Sequence, residues 1–141
     1  MNALNFPKIK KTLAELLPKF PVDFAYLYGS QAKGQTHAES DIDIALAFKN
    51  NLGRDPEDVL LDIFPILEGA LQIPVEKIDL KNFDRLPLSV RFRVIRDGKL
   101  VYCANVGEHR KKTVDTVAKY HDEEPFFETA AQDFFERVST L

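Results

Sequence analysis

The run Tyr28-Gly29-Ser30-Gln31-Ala32-Lys33-Gly34, followed by Ser40-Asp41-Ile42-Asp43-Ile44-Ala45, constrains this chain more than any other stretch. The apolar residues Phe24, Ala25, Tyr26, Leu27 and Tyr28 predict a buried strand that stops at Gly29. Gly29 permits a sharp turn, and Ser30 is a natural N-cap for a short helix through Gln31, Ala32 and Lys33. A strand-to-helix turn of this kind aims backbone N–H groups and a hydroxyl at one point, which suits an anionic phosphate. Beyond it the pattern alternates, with Asp41, Asp43 and Ala45 on one side of a strand and Ile42, Ile44 and Leu46 on the other. Paired carboxylates facing a phosphate cradle can hold Mg²⁺ against a nucleotide's phosphates. Two such ions can stabilise both the attacking and the leaving oxygen of an in-line displacement.

An Asp-x-Asp pair alone is usually a solvated strand face. Preceded by Gly-Ser with residues 31–40 between, it is a sharper signal. Gly29, Ser30, Asp41 and Asp43, with Ala32, Gly34 and Ser40 at the looser positions, resemble the minimal nucleotidyltransferases of the DNA polymerase β-like superfamily. The resemblance covers about residues 24–102. It implies an α/β (α+β) nucleotidyltransferase fold: a small mixed sheet packed with helices, and a C-terminal helical extension. It also implies that Gly29 and Ser30 embrace a triphosphate while Asp41 and Asp43 bind metal, Mg²⁺ or Mn²⁺. The family carries a third acid on a neighbouring strand, and Asp79 matches it, as a further metal ligand or as a base toward the attacking hydroxyl. Lys33 reads either as a surface lysine or as a phosphate contact.

Around this motif, Ile9, Leu13, Leu16 and Leu17 predict a helix over 9–17 that Pro18 ends. His37, in a polar loop over 35–39, reads as exposed. After the strand over 41–48, residues 49–53 are turn-rich. Asp55 or its neighbour caps the next helix, with Pro56 in its first turn and Val59, Leu60, Ile63, Ile66 and Leu67 as its buried stripe. Pro65 is expected to kink or divide that helix, and residues 69–74 to close the connection. A third strand is expected over 75–80, with Ile78 and Leu80 on one face and Asp79 on the other. A helix over 86–96 follows, with Leu88, Phe92 and Ile95 inward and Arg85, Arg91, Arg93 and Arg96 outside. Asp97-Gly98 turns into a strand over 99–102. Residues 106–120 read as a charged helix with Val114, Val117 and Ala118 inward and His109-Arg110-Lys111-Lys112 exposed. Asp122-Glu123-Glu124 is expected to break it, and Pro125 to start a last helix. There Phe127, Phe134 and Val138, widened by Phe126 and Phe135, form a stripe that suits a core or a docking surface.

A length of 141 residues suits one nucleotidyltransferase domain, with its core over about 22–102 and C-terminal helices over about 106–138. A net charge of −3 argues against generic binding to DNA or RNA. Cys103 is the single cysteine, which excludes an internal disulfide and a cysteine-built zinc site and fits the cytoplasm. The first residues lack a signal-sequence pattern, and no apolar run approaches the ~20 residues of a membrane span.

The expected activity is transfer of a nucleoside monophosphate from a nucleoside triphosphate to a hydroxyl. Members of this family are commonly paired with a HEPN-domain ribonuclease toxin, whose tyrosine they modify with AMP from ATP. The resemblance therefore implies a protein adenylyltransferase acting as antitoxin, in a hetero-oligomer with that toxin. Two other readings stand beside it: a small-molecule nucleotidyltransferase of the aminoglycoside type, and an antitoxin that acts by binding alone.

Overall fold

Val22–Tyr28 (β1) is buried on both faces along almost its whole length, as a central strand must be. The computed structural model describes residues 6–29 and 42–123, and in them β1 pairs on each side. On one side runs Ile42–Phe48 (β2), antiparallel; on the other Lys99–Cys103 (β4), also antiparallel. Ile78–Asn82 (β3) completes the sheet, parallel to β2, in the order β3-β2-β1-β4.

Alternation along the strands builds two cores. Val22, Ala25 and Leu27 of β1, Ile42, Ile44 and Leu46 of β2, and Ile78 and Leu80 of β3 face one way. They pack against Ile9, Leu13 and Leu16 of Phe6–Leu16 (α1) and Val59, Leu60, Ile63, Leu67 and Leu71 of Pro56–Leu71 (α2). Phe24 and Tyr26 of β1, with Ala45 and Ala47 of β2, face the other way. There they meet Phe92, Val94 and Ile95 of Leu88–Asp97 (α3) and Val117 of Val106–Glu123 (α4). The expected mixed sheet packed with helices is therefore present, with a helical pair on each face. Among the described residues, no helix is long and apolar enough to cross a membrane.

Local chemistry sets the boundaries, and several differ from expectation. Asp55 caps α2 by accepting a hydrogen bond from the Glu57 N–H at 2.9 Å, and Pro56 fills the first turn. Pro65 lies inside α2 without ending it; the helix runs on to Leu71, where Gln72 takes a left-handed conformation and donates to the Glu68 carbonyl at 2.8 Å. Ile66 stands at the margin of the stripe and is 47% exposed. The third strand starts at Ile78, because Val75–Lys77 forms a 3₁₀ turn closed by the Lys77 N–H on the Pro74 carbonyl. A second such turn, Phe83–Arg85, delays α3 to Leu88, leaving Leu88 half-buried and Val94 in its place in the core. Gly98, between α3 and β4, is pressed against backbone on two sides: a Cβ there would collide with the Val94 carbonyl and meet the Leu27 carbonyl at 3.0 Å.

The inner face of α4 is the largest departure. His109, Thr113, Thr116 and Val117 are its buried residues, whereas Val114 and Ala118 are exposed, and the helix continues through Asp122 to Glu123. His109 packs edge-on to Phe24 at 4.9 Å and shares a 2.7 Å hydrogen bond between Nε2 and the Tyr26 hydroxyl. Lys112 is likewise drawn in, pairing with Asp84 at 2.8 Å. The expected aromatic helix after Pro125 lies outside the described residues.

Burial, then the Arg110 charge, holds the His109 imidazole below its ordinary pKa, so the folded protein keeps it neutral where the unfolded chain would protonate it. The stability this contributes is complete above about pH 6.5, the ordinary histidine value, and is lost as the pH falls below it. The melting temperature is expected to drop with acidification through that window. His109→Gln, which retains a hydrogen-bonding partner for Tyr26, is expected to flatten that slope; an unchanged slope in thermal melts would assign it elsewhere.

Candidate active site

Strand register places the site. Antiparallel pairing sets Tyr28 opposite Asp43, and parallel pairing sets Asp43 opposite Asp79. Three polar groups thus stand in a row across three strands, each about 4.8 Å from the next. All lie on the α3/α4 side, because Ile42, Ile44, Ile78 and Leu80 occupy the opposite face. Standing opposite each other in the ladder, the two carboxylates offer hard oxygen donors of the kind divalent ions take.

Gly29 closes the row. Its φ of +78° lies in the left-handed region that other residues avoid, and a Cβ there would run into Asp43 Oδ2. The turn that ends β1 therefore presses bare backbone onto the carboxylate. Asp79 Oδ1 lies 3.5 Å from the Lys81 ammonium, two residues further along β3. Tyr28 is half-buried, and its hydroxyl pKa is pushed up to about 12 by burial and by the charges of Asp43 and Asp79. It stays protonated at the pH of any cell, a neutral group in an acidic site.

Of the expected site residues, Gly29, Asp43 and Asp79 converge. Ser30, Lys33 and Asp41 lie outside the described residues, as does His37. Among the described residues no three metal-ligating groups cluster, Asp41 not being one of them. Tyr28 and Lys81 escaped the sequence reading. Tyr28, one residue before the turn, reads only as core from the sequence; Lys81 becomes visible once Asp79 is placed on an alternating strand. The arginines of 85–96 divide. Arg85 pairs with Asp55 and Glu57 at 3.4 and 3.3 Å, and Arg96 grips Asp97 with two bonds while its guanidinium lies over the Phe92 ring. Arg93 is exposed.

A cavity of about 390 Å³ opens elsewhere, beyond the last residue of β2, lined by Lys49, Arg54, Asn82, Asp84 and Arg85 among others. It lies at the opposite end of the sheet from the Asp43–Asp79 row, and Arg54 and Arg85 are already paired with acids of α2 and its cap. Such a lining has little charge left for a triphosphate.

Comparison with known proteins places the chain in a family. Residues 8–106 match the model of the polymerase beta nucleotidyltransferase family. Protein adenylyltransferase MntA of Shewanella oneidensis is 36% identical over 84 residues, 58% of this chain and 55% of that protein. The matched stretch thus spans about half the length of that relative. A crystal structure of a toxin–antitoxin with AMP-PNP includes a chain 25% identical to this one, with a TM-score of 0.64, covering 94% of this chain and 99% of that one. The MNT–HEPN complex of Shewanella oneidensis, with its toxin tri-AMPylated, shares the fold at 19% identity and a TM-score of 0.61, covering 90% of this chain and 96% of that one. Gly29, Asp43 and Asp79 all fall within the matched span, and this chain belongs to the polymerase beta nucleotidyltransferase family.

Proposed function

We propose that this protein is an adenylyltransferase that moves AMP from ATP to a tyrosine hydroxyl of a HEPN-domain toxin, and so acts as the toxin's antitoxin in the cytoplasm. The observation that carries the reading is the juxtaposition of Asp43 and Asp79 beneath the bare backbone of Gly29. The MntA relative and the toxin–antitoxin structures support the choice of partner.

In this reading Gly29 and Ser30 cradle the triphosphate, with Lys33 reaching a phosphate oxygen. Asp41, Asp43 and Asp79 hold Mg²⁺ or Mn²⁺; the hard oxygen donors of Asp43 and Asp79 and the absence of a side chain at Gly29 fit such an ion. The bound ion supplies Lewis-acid stabilisation at the reacting phosphorus. The acceptor oxygen forms a bond to the α-phosphorus, the bond to the bridging oxygen breaks, and pyrophosphate leaves. Asp79, on the edge strand and half-exposed, takes up the hydroxyl proton. A tyrosine hydroxyl, with a pKa near about 10, needs that help.

Incubation with ATP, Mg²⁺ and the toxin is expected to add AMP to the toxin, read as intact mass. Asp43→Asn is expected to cut transfer by at least about a hundredfold, since it removes one ion-binding oxygen. Its melting temperature should hold or rise, because repulsion with Asp79 is relieved. Full transfer by that variant would defeat the mechanism. An inhibited but unmodified toxin would mean neutralisation by binding alone, and a modified small molecule would point to the antibiotic-type activity. Gly29→Ala is expected to lose activity together with about 1–2 kcal/mol of stability, the penalty of a left-handed non-glycine residue, measurable by denaturant titration.

A further inference from the structure

Lys81 follows Asp79 by two residues on β3, so both side chains leave the same face of the sheet. Across on β2, Lys81 stands opposite Ala45, which is fully buried and offers only a methyl group. On that face a flexible, half-exposed lysine stem can lie back along the strand. It does so: the ammonium comes to 3.5 Å from Asp79 Oδ1. Asp79 in turn stands beside Asp43, and the two charges together act on the Tyr28 hydroxyl. The acidic row thus carries a cation of its own, held by a flexible chain.

We propose that Lys81 is the resident counter-ion of the carboxylate row: in the nucleotide-free protein its ammonium stands where a divalent ion would otherwise balance Asp79, and it yields when ion and nucleotide enter together. The inference rests on the nucleotidyltransferase reading of Asp43 and Asp79. Both partners are about half-exposed, at 51% and 44% of their side chains, so water competes for the pair and it opens readily. A buried lysine could not leave; a fully solvated one would not compete. By this device an ion without its nucleotide is disfavoured, which limits idle occupation of the site.

The test is Mn²⁺ binding to the full chain without nucleotide, followed by calorimetry or by the resonance signal of free Mn²⁺. Lys81→Met is expected to bind Mn²⁺ about two- to fivefold more tightly than the native protein, the range an exposed ion pair allows. Lys81→Arg, which keeps the charge, is expected to match the native protein. In chelator the Met variant is expected to melt lower, and Mn²⁺ to raise its melting temperature by more than the native shift. Lys81→Gln repeats the experiment with a polar neutral side chain should Met perturb folding. Native-like or weaker Mn²⁺ affinity in both neutral variants would overturn the proposal. If the native protein transfers AMP while the neutral variants bind Mn²⁺ as it does, the counter-ion role alone fails. If it neither binds Mn²⁺ nor transfers AMP, the enzymatic reading falls with it.

Discussion

The pairing of β2 on both its edges is the constraint on which everything else depends. Antiparallel to β1 and parallel to β3, it fixes two registers at once, and only this combination brings Tyr28, Asp43 and Asp79 level. A slip of one residue in either ladder would send a carboxylate into the apolar layer under α1 and α2, where an unpaired charge is costly. Hydrophobic patterning therefore specifies the site indirectly. Ile42 and Ile44 on β2, with Ile78 and Leu80 on β3, can be buried only if the aspartates between them face the other way. The energy that holds the acidic row in place comes from its aliphatic neighbours, since two like charges side by side contribute repulsion.

That division explains what could be read from the sequence. Strands β1 and β2 were legible because their apolar runs are long and bounded by turn residues. The site end was legible because Gly29 and Asp43 are chemically conspicuous. Asp79 was legible by its face even though its strand begins three residues later than expected, since alternation is counted from Ile78 and survives the shift. Face α4 was not. Its buried stripe, His109, Thr113, Thr116 and Val117, has helical spacing but is mostly polar, so hydrophobicity selected Val114 and Ala118 instead. The threonines are tolerable inside because each hydroxyl donates to its own helix, Thr113 to the Arg110 carbonyl at 3.0 Å and Thr116 to the Lys112 carbonyl at 2.8 Å. With the hydroxyl satisfied, threonine packs by its methyl group. His109 finds its partner in Tyr26, eighty-three positions away in the chain, a pairing no local pattern announces.

The far end of the same sheet shows what a lysine–aspartate arrangement looks like when it is structural. Asp23 on β1 is 2% exposed, and burial raises its pKa against the opposing pull of Lys112 and Lys49. Lys112 is only 15% exposed; it pairs with Asp84 at 2.8 Å and reaches the Phe48 carbonyl at 3.4 Å, tying α4 to the end of β2. Its own side chain is largely shielded although Asp84 is 43% exposed, and its two contacts hold α4 down as a clamp. Lys81 at the other end has the same chemistry with a different setting: among the described residues one partner, a longer 3.5 Å contact and half of its side chain in water. A clamp belongs where α4 must be fixed; an exchangeable cation belongs where charge must enter and leave. The difference lies in how deeply each lysine is buried rather than in residue type, so one Lys–Asp pair fixes α4 at one end of the sheet while the other stays exchangeable at the opposite end.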